Sequence, residues 1–222
     1  MKVSAIVSAY YAENYLEKRL QNLIYQKPAV EIIVVCQSGS EEYEIAKGYG
    51  DLIIRIPTPD IPPLYKAWNI AIKASNCEYI TNANCDDHIY SGSYDEMAGI
   101  LDNHPEIALV YGDNNIHNGN ANIYKSRPAC DFYMLQRFCV IGPMPMWRKS
   151  LHEKYGYFDE DYQICGDYEF WLRIAAGGEK FRHIPRSVGL YMKRAESLEH
   201  RNPDLATREK LAIQEKYRSI KA

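Results

Sequence analysis

From Val3 to Asp87 the chain alternates between short apolar runs and segments with apolar residues at helical spacing. Val3 to Ser8 reads as a buried first strand. Tyr15, Leu16, Arg19, Leu20, Leu23 and Ile24 then recur at helical spacing, with Asn14 as the expected cap and Pro28 beyond the end. Ile32 to Cys36 is a near-continuous apolar run, the pattern of a strand buried on both faces. A loop, Gln37-Ser38-Gly39-Ser40, leads into a short helix from about Glu41 to Lys47, and Leu52 to Ile56 gives a third strand. Pro62-Pro63 suit a helix start, with Leu64, Ala67, Trp68 and Ala71 as its apolar stripe. A fourth strand, Tyr79-Ile80, runs through Thr81 to two adjacent carboxylates, Asp86-Asp87. This order predicts a parallel, helix-flanked sheet with right-handed crossovers, a nucleotide-binding type of half-domain.

Beyond Asp87 the rhythm changes. A helix is expected through Tyr94, Met97, Ala98 and Leu101, ending near Pro105, and a strand from Ala108 to Tyr111. Asp113 to Ala121 reads as a loop or hairpin, and Val140 to Trp147 as a proline-shaped loop lining a cleft. A helix is expected from Asp167 to Gly177-Gly178, a strand over Val188 to Met192 and a charged loop over Lys193 to Asn202. Asp204 is expected to cap a last helix through about Tyr217. No repeat or linker interrupts the pattern. The expectation is one domain over 1–222, with a nucleotide-binding type of half at 1–90, a second half at 91–200, and a C-terminal helix at 201–222.

Bulk properties narrow the partners. A chain of 222 residues suffices for one substantial core, and a formal net charge of −3 shows no nucleic-acid footprint. The six cysteines form no CxxC pair and several sit in apolar runs, which fits buried reduced thiols. The chain shows no signal-peptide pattern and no stretch long enough to span a bilayer. The expected compartment is therefore a reducing cytoplasm, compatible with peripheral contact at the inner face of the membrane and with a homodimer.

Polar groups gather where a bland fold would not need them. They lie after strand one (Ala9, Tyr10, Glu13), after strand two (Gln37), at Asn84-Cys85-Asp86-Asp87, and at Gly166-Asp167-Tyr168-Glu169. In a parallel sheet the first three are neighbours at the carboxyl edge, where ligands of open α/β sheets bind. Two carboxylates and an Asn offer hard oxygen ligands for Mg²⁺ or Mn²⁺, although Asp and Asn also simply close turns. Asp167 likewise suits plain N-capping.

Five motifs in order make the chain resemble the family 2 glycosyltransferases of GT-A fold. The family's P-S/T-Y-N-x-x-x-x-L is similar to Ser8-Ala9-Tyr10-Tyr11 with Tyr15-Leu16, and E-I-I-V-V-D-D-G-S to Glu31 through Gly39. A-x-N-x-A/G-I matches Ala67 to Ile72, and G-x-Y-I-x-x-x-D/N-x-D-D matches Glu78 to Asp87. G-x-F-D-E and E/G-D-x-D/E-x-W-L-R match Gly156 to Glu160 and Gly166 to Arg173.

The resemblance implies an inverting, metal-assisted transfer of a sugar from a nucleotide-diphosphate donor to a hydroxyl of a glycan or lipid-linked acceptor, in cell-surface polysaccharide synthesis. A UDP-sugar is favoured, with dTDP- or GDP-sugars as alternatives. The implied halves are nucleotide-sugar binding at 1–90 and acceptor and catalytic at 91–200. Asp167 is the implied general base. Ala9, Tyr10, Glu13, Gln37, Lys66, Asn69, Asn84, Cys85 and Asp86 are the implied donor contacts, and Asp86, Asp87 and His200 the metal set. Lys193 and Arg194 suit a loop folding over a diphosphate. Trp147, Trp171 and Arg173 read as scaffold, with Trp147 also a candidate for the cleft border.

The sequence departs from the family at three places. Cys36-Gln37 replace the paired aspartates after strand two, Asn84 replaces the first metal-motif carboxylate, and Gly166 replaces an acidic residue. Two other readings stay open. One is a sugar nucleotidyltransferase, which would normally carry a Gly-rich basic loop where Ser8-Ala9-Tyr10-Tyr11 stands. The other is a non-catalytic nucleotide-sugar or glycan-binding module.

Overall fold

The computed structural model describes residues 1–221. Its first half is β1 (Val3–Ala9), α1 (Leu16–Ile24), β2 (Glu31–Gln37), α2 (Glu41–Lys47), β3 (Ile54–Thr58), α3 (Leu64–Ala74) and β4 (Tyr79–Asn82). The chain continues through β5 (His88–Ile89), α4 (Ser93–Asn103), β6 (Ile107–His117), β7 (Asn122–Lys125), α5 (Phe132–Leu135) and β8 (Met146–Arg148). It closes with α6 (Leu151–Tyr155), α7 (Gly166–Ala176), β9 (Lys180–Met192), α8 (Leu198–Arg201) and α9 (Pro203–Tyr217).

One sheet joins the two halves in the order β3-β2-β1-β4-β8-β6-β9-β5, with β7 added to β6. The pairs among β1 to β4 are parallel, whereas β8 runs antiparallel to both β4 and β6. The parallel half expected up to Asp87 is present as a Rossmann-like nucleotide-binding type of half, and it is fused to a mixed-sheet half.

The continuous apolar runs follow from burial on both faces. Successive residues of a strand point to opposite sides of the sheet. Ile6, Ile33 and Val35 therefore join Trp68, Trp147 and Trp171 in one core layer, while Val7, Ile32 and Val34 join Leu16, Leu20 and Met97 in the other. Trp147 is fully buried, so the structure assigns it to the core and removes it from the cleft border. Its indole Nε1 donates to His152 Nε2 at 2.9 Å, and its ring meets Phe158 and Trp171 edge-on.

Local expectations shift in three places. The N-cap of α1 is Tyr15 with no side-chain cap bond, and Asn14 instead donates to Glu13 Oε1 at 3.1 Å. The 113–121 stretch is the expected hairpin, with β6 running to His117 and pairing antiparallel with β7 across the 118–121 turn. Polar residues extend β6 there because Asp113 is satisfied internally, accepting from Arg127 N and from His183 Nε2, each at 2.7 Å. The 140–147 loop ends in a strand, β8. Finally, Asn202 rather than Asp204 occupies the cap of α9.

Tertiary packing of large rings dominates this core, and that is measurable. Trp147→Ala is expected to lower unfolding free energy by about 3–5 kcal/mol, the usual range for deleting a buried aromatic. Equilibrium urea denaturation checks it; a loss below about 1 kcal/mol would show that the cluster is not what holds the two halves together.

Candidate active site

Connections leave β1 and β4 in opposite directions, β1 towards β2 and β4 towards the second half. Such a switch opens a crevice at the carboxyl ends. The turn after β4 is knitted to β1: Ala83 N donates to Ile6 O at 2.8 Å, and Cys85 Sγ lies 3.5 Å from Ser8 O. Cys85 thus points at backbone, and burial, followed by the charge of Asp86, pushes its thiol up to about 12.

The paired aspartates have distinct environments. Asp87 is 4 % exposed; its Oδ1 accepts from Met192 N at 3.1 Å and its Oδ2 from Asn84 Nδ2 at 3.0 Å. Burial first, and then the neighbouring Asp86 charge, push Asp87 up to about 7. Asp86 is the more exposed of the two, and its Oδ2 accepts from Arg194 Nε at 2.7 Å. The Arg194 guanidinium also lies over the Tyr15 ring, 4.1 Å from its centroid. A residue of the loop after β9 therefore closes over the β4 end.

Asp167 lies in the first turn of α7. The cap position is Cys165, so Asp167 is not the N-cap. Its Oδ1 accepts from Tyr168 N at 2.8 Å and from the Tyr65 hydroxyl at 3.2 Å. These bonds leave Oδ2 uncommitted among the described residues. Burial is the main cause that lifts Asp167 to about 6, while the Tyr168 N–H and the Tyr65 hydroxyl oppose the rise. Tyr65 also donates to Ile164 O at 2.6 Å. Its ring explains one departure from the family pattern: a Cβ on Gly166 would lie 2.7 Å from the Tyr65 ring, so the acidic side chain common there has no room.

Charge links the two carboxylate sites. Burial, and then Asp87, Glu199 and Asp86, push the Tyr191 hydroxyl up to about 12, and the Glu199 charge also acts on Asp167. Glu199 therefore lies near enough to act on both Tyr191 and Asp167.

The remaining expected residues divide. Ala9 is buried at the end of β1, and Tyr10 and Gln37 line a cavity of about 290 Å³ with Glu13 at its rim. Tyr10 shares a 3.2 Å hydrogen bond with Thr58. Lys66 is exposed on α3. Asn69 is corrected: it is 2 % exposed, and its amide exchanges hydrogen bonds with the Phe158 backbone and donates to Glu160 Oε1 at 3.0 Å. It holds the Gly156–Glu160 turn rather than offering itself to a donor. Asn84 likewise spends its amide on Asp87.

His200 is exposed and its Nδ1 lies 2.5 Å from Ser197 Oγ. Among the described residues no three His, Cys, Asp or Glu side chains form a metal-holding group, so Asp86, Asp87 and His200 do not stand together as one ligand set. What remains fits a cation held partly by substrate. Asp86 is a partly exposed carboxylate already paired to a positive charge, Asp87 is a buried one raised by burial and by the Asp86 charge, and Mg²⁺-type ions commonly take one or two carboxylates plus phosphates.

Sequence reading missed Tyr65, and it took Tyr15 only as helix periodicity and as part of the first motif. Neither pattern says that the Tyr65 hydroxyl meets Asp167 or that the Tyr15 ring lies under Arg194.

Residues 4–163 match the model of Glycosyl transferase family 2. The chain is 25 % identical over 203 residues to the uncharacterized glycosyltransferase YwdF of Bacillus subtilis, spanning 86 % of this chain and 74 % of that protein. The fold superposes on S. aureus TarS in complex with UDP-GlcNAc with a TM-score of 0.75 at 19 % identity, covering 89 % of this chain. It also superposes on mannosyltransferase PcManGT from Pyrobaculum calidifontis in complex with GDP-Man and Mn²⁺, with a TM-score of 0.72 at 17 % identity and 100 % coverage. The chain spans 60 % of the former and 65 % of the latter, less than two thirds of either. These neighbours share its α/β GT-A architecture. With the family model spanning well over half of its length, the chain belongs to glycosyl transferase family 2.

Proposed function

We propose that this chain is an inverting glycosyltransferase that moves a sugar from a nucleotide-diphosphate donor to a hydroxyl of a glycan or lipid-linked acceptor. The observation that carries this reading is the presence of two unlike carboxylates at element ends. Asp86, at the β4 end, is paired to the Arg194 guanidinium, while Asp167 is lifted to about 6 with one oxygen uncommitted. The bound nucleotide sugars of TarS and PcManGT, and the Mn²⁺ of the latter, support the donor class.

The base and ribose occupy the cavity beside Tyr10 and Gln37, and the diphosphate lies towards Asp86. Asp86, with Asp87 behind it, would hold a divalent ion, which when bound neutralises the charge that develops on the leaving diphosphate. Arg194 leaves Asp86 to clamp the diphosphate oxygens. On the far side of the sugar, Asp167 Oδ2 takes the proton of the acceptor hydroxyl as its oxygen bonds to the anomeric carbon and the bond to the diphosphate breaks. The Tyr65 hydroxyl fixes the carboxylate orientation. Attack opposite to the leaving group inverts the anomeric centre. Among the described residues no helix is long and apolar enough to cross a membrane.

Asp167→Asn is expected to lower kcat by about 10²–10⁴-fold, the usual worth of positioned proton transfer, with donor affinity retained. Radiolabelled transfer beside calorimetric titration of the donor separates these quantities. Unchanged transfer would remove Asp167 from the role, and a wild-type chain that binds donors yet transfers to no acceptor would favour the binding-module reading.

Asp86→Ala is expected to abolish the metal dependence of donor binding. Equal donor affinity of the wild type with Mn²⁺ and with EDTA would defeat the cation assignment.

The pH profile offers a third check. A base works only when ionised, so kcat/KM should fall as pH drops through about 6. Tyr65→Phe removes a donor that favours the carboxylate, so the acid limb should move to higher pH. A limb that stays put would show that Tyr65 does not tune Asp167.

A further inference from the structure

We propose that Glu42, reaching from α2 into the cavity at the ends of β1 and β2, reads the nucleobase of the donor by accepting the ring N–H of uracil, thymine or guanine. This rests on the nucleotide-sugar reading above and assigns the residue that sets its base specificity.

Glu42 is the second residue of α2 and is only 6 % exposed. Its hydrogen bond comes from Ala12 N, at 2.8 Å, to Oε1. Among the described residues it has no ion pair and no hydrogen bond to Oε2. A carboxylate this buried is costly unless a donor or cation meets it. Glu42 also borders the 290 Å³ cavity, together with Tyr10, Tyr11, Gln37 and Ile61. Glu13 and Glu41 border it too, but both are exposed and solvated. Burial first, and the Glu42 charge in smaller part, push the Tyr10 hydroxyl up to about 12 and the Cys36 thiol up to about 11. The negative charge therefore sits close to the cavity floor.

The lining suits a flat heterocycle. Tyr10 and Tyr11 supply aromatic rings, and Ile61 an apolar edge. Tyr11 holds a left-handed backbone, φ 54°, unusual for a residue with a side chain, and it is 78 % exposed. The next residue, Ala12, is the one pinned by Glu42, so the same carboxylate fixes the loop that carries both tyrosines. An ionised carboxylate accepts and never donates. Uracil and thymine offer one ring N–H between two carbonyls, and guanine offers a ring N–H beside an amino group. Gln37 can donate its amide to an adjacent carbonyl. Adenine and cytosine instead present a ring nitrogen lone pair beside their amino group, which a carboxylate repels. Gln37 carries no charge, so the helix supplies the carboxylate that the strand end lacks.

The test is isothermal titration of the whole chain, in Mn²⁺, with UDP, dTDP, GDP, ADP and CDP. The wild type should bind at least one of the first three about tenfold or more tightly than ADP and CDP. Glu42→Gln keeps the oxygen that accepts from Ala12 but offers the base an amide. It should lose about tenfold for the preferred diphosphate and leave ADP and CDP unchanged. Equal loss for all five, or no loss, would overturn the assignment. Should the variant not fold, a wild-type preference for ADP or CDP, or no preference at all, overturns it equally. Failure of the wild type to bind any of the five would instead refute the nucleotide-donor reading on which the proposal stands.

Discussion

The site depends on one buried carboxylate. Asp87 joins the turn after β4 to the end of β9, accepting from Met192 N on one oxygen and from Asn84 on the other. Strand β4 belongs to the parallel half and β9 to the mixed half, so this contact sets where the chain leaving β9 meets the β4 end. Arg194 follows two residues later and reaches Asp86 from there. The two neighbouring aspartates thus divide their labour by burial. Asp87 is structural because it is surrounded by donors, and Asp86 is available because only a mobile type of partner, a long cationic side chain, faces it.

The start of α7 is organised by hydrogen bonds from helices distant in sequence. Glu209 of α9 accepts from the backbone N–H groups of Gln163, Ile164 and Cys165 at 2.8, 2.9 and 2.8 Å. Tyr65 of α3 takes the Ile164 carbonyl and the Asp167 carboxylate together. The start of α7 is therefore held from both sides, and Gly166 is the residue that lets the Tyr65 ring come this close. A rigid frame around a carboxylate that burial has lifted to about 6 is what a general base near neutral pH requires.

Asn69 and Asn84 show why motif and role separate. Both sit in stretches that match a family pattern, yet each amide is committed to the protein: Asn69 to Phe158 and Glu160, Asn84 to Asp87. A motif residue can persist because it shapes the turn beside a site. His200 shows the converse problem, since nothing local in a charged loop says whether a histidine points into a cleft; here it meets Ser197.

The sequence by itself determined the strand–helix alternation to Asp87, the two-faced burial of β1 and β2, and the place of Asp86 and Asp167 at element ends. These are local properties: side-chain period, turn residues and motif spacing act within a few residues of chain. It also marked Asp167 as a candidate base with a capping alternative. Only the tertiary structure decided that Cys165 occupies the cap, that Tyr65 reaches across 102 positions to Asp167, and that Arg194 reaches across 108 to Asp86. The same holds for the β8 strand inside a proline-rich loop, for β6 running on through Asp113, and for Glu42 turning into the cavity. Such contacts depend on which elements the fold brings side by side. Burial and partners, not residue type, then fix the charge and reach of each group.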